Sequence, residues 1–184
     1  MSCSRYEMRF AGAGGQGLIL AGIIMGEAAA IYDGKQAVQS QSYGPEARGG
    51  ASKSEVVISD QPIDFPKATN VDALLALTQE ACDKYSMDLK EGGILLVDSD
   101  LVKDLPKGNF HVVSIPILAI AKNEIGRTIV ANIVALGAMV ALTGIVSRES
   151  AEKAVLARVP AAFVELNRKA FAMGYSKALE AREH

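Results

Sequence analysis

Apolar residues form short unbroken runs along the chain, and these runs alternate with segments of helical spacing. The run Ile94-Leu95-Leu96-Val97 is typical of a parallel strand that is covered on both faces. Similar runs or extended patterns predict further strands at 6–11, 36–42, 52–59, 71–77 and 110–115. For 71–77 a helix is the alternative, since Asn70 or Asp72 could cap one there. Because helical segments separate most of these strands, we predict an α/β fold with a mainly parallel sheet and helices on both faces.

Helical patterns follow several of these strands and dominate the end of the chain. Residues 78–89 carry apolar positions at helical spacing and predict a helix that ends at Glu91-Gly92-Gly93. Residues 117–126 predict a short helix, and 128–146 are apolar almost throughout. Asn132 and Thr143 interrupt that stretch, so we expect a helix buried on all faces rather than a membrane span. Ser147 is expected to cap the next helix, and Pro160 to start the last one.

Composition limits the domain count and the classes of partner. With 184 residues, the chain is expected to form a single Rossmann-like domain over 1–184 with a helical C-terminal part. The formal net charge of −2 favours neither nucleic acid nor an anionic membrane as a partner. Cys3 and Cys82 are far apart, so we expect no metal site in this chain. The N-terminal residues lack an apolar core, which predicts a cytoplasmic protein.

A glycine-rich turn, Gly12-Ala13-Gly14-Gly15-Gln16-Gly17, lies between the first predicted strand and an apolar helical stretch. Glycines accept positive φ and let backbone N–H groups approach an anion at the start of a helix, so phosphate or pyrophosphate is the first ligand class to consider. Gly12, Gly14 and Gly17 also match the spacing of dinucleotide-binding turns. The acidic residue expected about twenty residues later is missing, because Asp33 comes too early. A tight strand-to-helix crossing without a ligand is the alternative.

A second loop, Tyr43-Gly44-Pro45-Glu46-Ala47-Arg48-Gly49-Gly50, carries a phenol, a carboxylate and a guanidinium between glycines. Arg48 is suited to clamp a phosphate or carboxylate, and Glu46 to orient it or to pair across an interface. The alternative is that both side chains only tie the loop together. In the predicted sheet, this loop and the glycine turn both lie at the carboxyl ends of strands, where ligands gather in such folds.

Together with Ser59-Asp60-x-Pro62-Ile63, the two loops resemble those of the gamma subunits of 2-oxoacid:ferredoxin oxidoreductases. The resemblance covers nearly the whole chain, through Asn132 and Gly137. It implies a subunit of an enzyme that oxidatively decarboxylates a 2-oxoacid with coenzyme A, giving an acyl-CoA, carbon dioxide and reduced ferredoxin. The form of the second loop, with Asp64 and Pro66 after it, is most similar to the 2-oxoglutarate enzymes.

The resemblance also implies that different subunits carry the cofactors and form the coenzyme A site. Thiamine diphosphate and iron-sulfur clusters would lie on companion alpha, beta and delta-type subunits, and this chain would supply no catalytic residue. It would help to form the coenzyme A site, with the backbone at Gly12, Gly14, Gly15, Gln16 and Gly17 taking the diphosphate and Arg48 as a phosphate partner. Alternatively, the turn and the residues Tyr43, Glu46, Gly49 and Gly50 would only dock the catalytic subunits.

Two rival functions follow from single features of the sequence. The glycine spacing alone supports a free-standing NAD(P)-binding oxidoreductase or redox sensor, and the apolar stretch 128–146 supports a non-enzymatic assembly scaffold. Among the remaining polar residues, Asp98 and Asp100 are expected to cap a turn rather than bind a metal. Cys82 is expected in the core, and His111 within a sheet.

Overall fold

A computed structural model describes residues 4–42 and 51–183 of the chain. Six strands form one sheet in the order β2-β3-β1-β4-β5-β6. Their bounds are β1 Tyr6–Ala13, β2 Gln36–Ser42, β3 Ala51–Ser59, β4 Val71–Ala76, β5 Leu89–Asp98 and β6 His111–Ile115. Strands β1, β4, β5 and β6 pair in parallel, whereas β3 is antiparallel to both β1 and β2. The α/β prediction is confirmed, with a mixed sheet.

Strand β3 occupies the place beside β1 that a dinucleotide-binding fold gives to the second strand. It pairs with β1 in the register Met8↔Val56 and with β2 in the register Val38↔Val57. The second strand, β2, therefore lies at the edge of the sheet. The acidic residue that binds ribose in such folds would have no equivalent position next to the glycine turn.

The helices have the bounds α1 Leu18–Glu27, α2 Gln79–Tyr85, α3 Ile117–Ala119, α4 Ala131–Thr143, α5 Arg148–Ala157 and α6 Val164–Arg182. Alpha-helix α1 continues as a π-helical turn over Ala28–Tyr32, and α3 does so over Ile120–Ile125. Short 3-10 turns precede α4 at Thr128–Val130 and α6 at Ala161–Phe163. None of the helices in the described part of the chain is long and apolar enough to cross a membrane.

The helix predicted over 78–89 is shorter than expected. Alpha-helix α2 ends at Tyr85, a 3-10 turn follows, and Leu89 already begins β5. Gly92 has a φ of +72° and lies within β5, where the register with β4 shifts between Val71 and Ala73. Glu91-Gly92-Gly93 therefore forms a strand irregularity and does not end a helix, because a positive φ also serves a bulge.

Helices cover both faces of the sheet, as predicted, and each face has its own core. The larger core lies under α1, α4, α5 and α6 and includes Met8, Phe10, Ile24, Val134, Met139 and Phe171. The smaller core lies under α2 and includes Leu74, Leu95, Cys82 and Tyr85. Arg9 and Glu55 are also buried on this second face, 2% and 5% exposed, and their side chains form an ion pair at 2.9 Å.

Alpha-helix α4 is the buried helix that the apolar stretch predicted. Residues 132–142 are all buried, and Gly144 ends the helix with a φ of +59°. It crosses α6 at very short range, because a Cβ at Gly174 would lie 1.8 Å from the carbonyl oxygen of Val134. A Cβ at Gly137 would lie 2.2 Å from that of Phe171. The two glycines let the helix backbones touch.

The predicted cap of α5 is confirmed. The Ser147 hydroxyl accepts a hydrogen bond from the backbone N–H of Ser150 and caps α5. Asp33, just after α1, accepts hydrogen bonds from the Ser147 N–H at 2.8 Å and from the Ser150 hydroxyl. Burial would raise the pKa of Asp33, but these bonds outweigh it and lower the pKa below its usual value. This carboxylate therefore ties the end of the α1 segment to the start of α5.

Candidate functional site

The glycine turn joins the carboxyl end of β1 to α1. Gly15 and Gly17 have φ values of +83° and +74°, which L side chains rarely adopt. The Gln16 side-chain oxygen accepts a hydrogen bond from the Ala13 N–H at 2.7 Å and closes the turn. Gly17 is the N-cap of α1 and offers no side chain as a cap. The N–H groups of the first turn of α1 are therefore left for a ligand or solvent.

Close packing also requires glycine at two positions of the turn. A Cβ at Gly12 would lie 2.2 Å from the Gln16 side-chain oxygen. A Cβ at Gly17 would lie 2.6 Å from Nδ2 of Asn132, which comes from the second residue of α4. That nitrogen donates a hydrogen bond to the Gly17 carbonyl oxygen at 3.2 Å. The turn is thus held from within by Gln16 and from α4 by Asn132.

A cleft of about 730 Å³ opens beside this turn. It lies at the carboxyl ends of the parallel strands, since its floor includes Leu77 after β4, Asp98 at the end of β5 and Ile117 after β6. Most of its walls are apolar. Its other lining residues are Gly15, Gln16, Gly17, Leu20, Ile24, Leu101, Leu118, residues 127–133, residues 158–160, Phe163, Leu166 and Asn167.

The Asp98 carboxylate in the cleft has a structural role. It is 1% exposed and accepts hydrogen bonds from the backbone N–H groups of Asp100, Leu101 and Leu118 at 2.9, 3.3 and 2.8 Å. The capping role predicted for Asp98 is confirmed. Within the described residues there is no group of three or more His, Cys, Asp or Glu side chains that could hold a metal ion.

Two guanidinium groups line the cleft, and they differ in their partners. Arg158 forms a two-point ion pair with Glu27, in which Nε lies 2.7 Å from one carboxylate oxygen. Hydrogen bonding to Arg158 lowers the pKa of Glu27 despite some burial. Arg127 is exposed, and its side chain forms no hydrogen bond or ion pair with residues 4–42 or 51–183. Arg127 therefore brings an uncompensated positive charge to the cleft.

Arg127 and Asn132 were not predicted as site residues. Asn132 entered the sequence analysis only as an interruption of an apolar stretch and as part of a resemblance. Arg127 follows Gly126, which ends the helical segment after β6 with a φ of +87°. That position, one short helix beyond the carboxyl end of a strand, is the signal by which the sequence could have indicated Arg127.

Of the predicted glycine-turn residues, Gly15, Gln16 and Gly17 line the cleft, and Gly12 supports the turn from β1. Gly14 is exposed in the turn and does not belong to the cleft lining. The predicted residues of the second loop, Tyr43, Glu46, Arg48, Gly49 and Gly50, lie outside the described residues. Their flanking strands end beside the glycine turn: Ala51 pairs with Ala13, and Ser42 pairs with Lys53. The predicted neighbourhood of the two loops thus has support from the strands that lead into them.

Alpha-helix α2 holds the start of β3. The Tyr85 hydroxyl donates a hydrogen bond to the Ala51 carbonyl oxygen, and the Glu80 carboxylate accepts one from the Ala51 N–H, both at 3.3 Å. Cys82, on the same helix, is fully buried. Burial, with a contribution from Asp83, raises the pKa of its thiol to about 11. Cys82 is therefore a core residue, as predicted, and is protonated at neutral pH. His111 lies exposed on the edge strand β6.

Comparison with known proteins places this architecture in one family. The family model described as pyruvate ferredoxin/flavodoxin oxidoreductase matches residues 7–177. A 2-oxoglutarate synthase subunit KorC from Methanocaldococcus jannaschii is 59% identical over 96% of this chain and 95% of its own length. A pyruvate synthase subunit PorC from Methanothermobacter thermautotrophicus is 32% identical over 93% of this chain and 94% of its own length.

A solved structure agrees with the sequence comparisons. The keto/oxoacid ferredoxin oxidoreductase gamma subunit from Geobacter sulfurreducens is 75% identical and superposes with a TM-score of 0.92. The match covers 97% of this chain and 98% of that one. The resemblance to gamma subunits that the two loop motifs predicted is confirmed. The chain belongs to the pyruvate ferredoxin/flavodoxin oxidoreductase family.

Proposed function

We propose that this chain is the gamma subunit of a 2-oxoglutarate:ferredoxin oxidoreductase, which converts a 2-oxoacid and coenzyme A to an acyl-CoA, carbon dioxide and reduced ferredoxin. Support for 2-oxoglutarate comes from the KorC relative, which is 59% identical, against 32% for the pyruvate synthase subunit. The chain acts as one domain over residues 1–184 in the cytoplasm. Alpha, beta and delta-type companion subunits carry the thiamine diphosphate and the iron-sulfur clusters, and ferredoxin reacts with the assembled complex.

Within that enzyme, the cleft beside the glycine turn binds coenzyme A. One observation carries this role: a single cleft combines the free N–H groups at the start of α1 with long apolar walls. The N–H groups suit the diphosphate, and the walls suit the less polar parts of the ligand. Its volume of about 730 Å³ falls within the usual range for small-molecule sites. Arg48 is the further phosphate partner in this proposal.

A docking role has its own supporting observation. Five large apolar side chains that line the cleft are more than a third exposed, namely Leu20, Leu101, Leu118, Ile129 and Phe163. Such a patch is typical of a surface that a partner protein covers. In this second proposal, a companion subunit fills the cleft and coenzyme A binds elsewhere. An NAD(P) site is less well supported, because antiparallel β3 lies beside β1.

The test is a calorimetric titration of the assembled complex and of the isolated chain with coenzyme A, NAD and NADP. The informative variant is Gly15→Ala, because Gly15 lines the cleft, has a φ of +83° and leaves open space around an added Cβ. Gly34→Ala is the matched control, since Gly34 has a φ of +67°, equally open space and no part in the cleft lining. Both variants carry similar backbone strain.

We expect the complex to bind coenzyme A and not NAD or NADP. Alanine keeps the backbone N–H at position 15, but its strain at a φ of +83° should shift the turn. Losing one or two hydrogen bonds to a charged phosphate in this way should weaken binding by about tenfold or more in Gly15→Ala. Gly34→Ala should bind like the unsubstituted complex. Selective NAD binding would overturn the assignment, and equal coenzyme A affinity in both variants would favour the docking role.

A further inference from the structure

The cleft contains a second group suited to an anion, separate from the glycine turn. Arg127 lines the cleft, and the segment that carries it is well fixed. The backbone N–H of Arg127 donates a hydrogen bond to the Ala121 carbonyl oxygen at 2.9 Å, and the 3-10 turn Thr128–Val130 starts directly after Arg127. The guanidinium itself has no partner among the described residues. A fixed backbone with a free cationic end is the arrangement expected of a ligand-binding arginine.

The other charges that line the cleft are already compensated. Arg158 is paired with Glu27, and Asp98 accepts three backbone hydrogen bonds. Among the lining residues that the structure describes, Arg127 is therefore the charged group left to meet a ligand. An anion that entered the cleft would meet this guanidinium without having to break an existing ion pair.

Arg127 and the glycine turn are close enough to serve one ligand. Asn132 lies five residues after Arg127 and donates its hydrogen bond to Gly17. Arg127 is extended, and the four steps from Thr128 to Asn132 rise by at most about 2 Å each, so Arg127 and Asn132 lie within about 12 Å of each other along the axis. The arginine side chain adds its own reach. The cleft thus offers two anion-binding points at a spacing that suits a single nucleotide with two separate phosphate groups.

We propose that Arg127 binds the 3′-phosphate of coenzyme A while the glycine turn binds the diphosphate, so that Arg127 selects coenzyme A over 3′-dephospho-coenzyme A. This inference rests on the proposed function of the cleft. A guanidinium binds a phosphate group through two parallel hydrogen bonds, which gives both strength and directional selectivity. The two ligands differ only in the 3′-phosphate, so their comparison isolates the contribution of that phosphate, and variants of Arg127 show whether this residue binds it.

The test compares Michaelis constants for the two ligands in the assembled enzyme, with Arg127→Ala, Arg127→Lys and the control Lys122→Ala. Lys122 is exposed, lies in the preceding helical segment and does not line the cleft, so its removal changes the net charge equally. In the unsubstituted enzyme, the Michaelis constant should be about 10- to 100-fold higher for the dephospho ligand. This ratio should fall towards one in Arg127→Ala, recover in part in Arg127→Lys, and stay unchanged in Lys122→Ala.

The outcomes separate this inference from the function on which it rests. A ratio near one in the unsubstituted enzyme, or a ratio that survives Arg127→Ala, would overturn the role of Arg127. In either case, a Michaelis constant that Gly15→Ala raises for both ligands would still support coenzyme A binding in the cleft. Michaelis constants that respond to neither Gly15→Ala nor Arg127→Ala would overturn both proposals.

Discussion

Replacing Gly174 by alanine should destabilise the protein, although alanine is the better helix former. The new Cβ would lie 1.8 Å from the Val134 carbonyl oxygen, whereas real Cβ contacts essentially never fall below 3.0 Å. Alpha-helices α4 and α6 would have to separate by more than 1 Å, because the obstacle is backbone that cannot rotate away. Overpacking of this kind costs about 3 kcal/mol at the upper end of its usual range.

The gain in helix propensity offsets about 1 kcal/mol of that cost. The net loss in the free energy of unfolding should be about 2 kcal/mol, or about 4–8 °C in melting temperature for a chain of this size. The matched control is Gly26→Ala on α1, where the nearest atoms to the new Cβ are at 3.9 Å. There only the propensity gain remains, so Gly26→Ala should stabilise by about 0.5–1 kcal/mol.

Urea denaturation followed by circular dichroism measures both variants at one pH and salt concentration. The midpoints should shift in opposite directions with unchanged m-values. If Gly174→Ala were as stable as Gly26→Ala, the two helix backbones would not be in contact, and the close crossing would be refuted.

Three further predictions concern charged or titratable side chains. Asp33→Asn should lower the free energy of unfolding at pH 7, because hydrogen bonds from Ser150 and the start of α5 lower the pKa of Asp33 in the folded protein. The stability difference between the variant and the unsubstituted protein should shrink below about pH 4 and vanish as the pH falls through that folded pKa. Denaturation curves in which Asp33→Asn loses the same stability at every pH down to about 2 would contradict this prediction. Arg9→Met should cost about 3 kcal/mol, because it removes the buried one of the two cations, Arg9 and Lys53, that pair with the buried Glu55. A second substitution, Glu55→Leu, should recover part of that loss in urea melts. Cys82 should resist iodoacetamide at pH 8 in the folded protein and react after unfolding, as peptide mass spectrometry would measure.

Local sequence signals predicted the C-terminal half of the fold well. Ser147 caps α5 and Gly126 ends the helical segment after β6, and each of these signals acts within one helical turn. The helix predicted over 128–146 was too long at its end, because Gly144 ends α4 with a positive φ. The same logic failed at Leu89, which lies at helical spacing from Tyr85 but begins a strand. Gly92 was interpreted as a helix end, whereas its positive φ serves an irregularity in β5. A positive φ has several uses, and only the tertiary pairing of β4 with β5 decides between them.

The mixed character of the sheet was partly predictable. Only eight residues join β2 to β3, and a parallel crossover needs a dozen or more, so this connection favours an antiparallel pair. That β3 then inserts beside β1 depends on contacts distant in sequence, which no local pattern carries. In the site, the glycine turn was visible because its spacing is rare. Arg127 could not be recognised from the sequence, because a single exposed arginine belongs to no motif. It becomes informative only when the fold brings it to the cleft.

The most direct test of the coenzyme A site is a cryo-electron microscopy map of the assembled enzyme with coenzyme A bound. We expect the diphosphate against the glycine turn and the free N–H groups at the start of α1, and the 3′-phosphate at Arg127. A map in which side chains of a companion subunit fill the cleft, with coenzyme A bound elsewhere, would contradict this account.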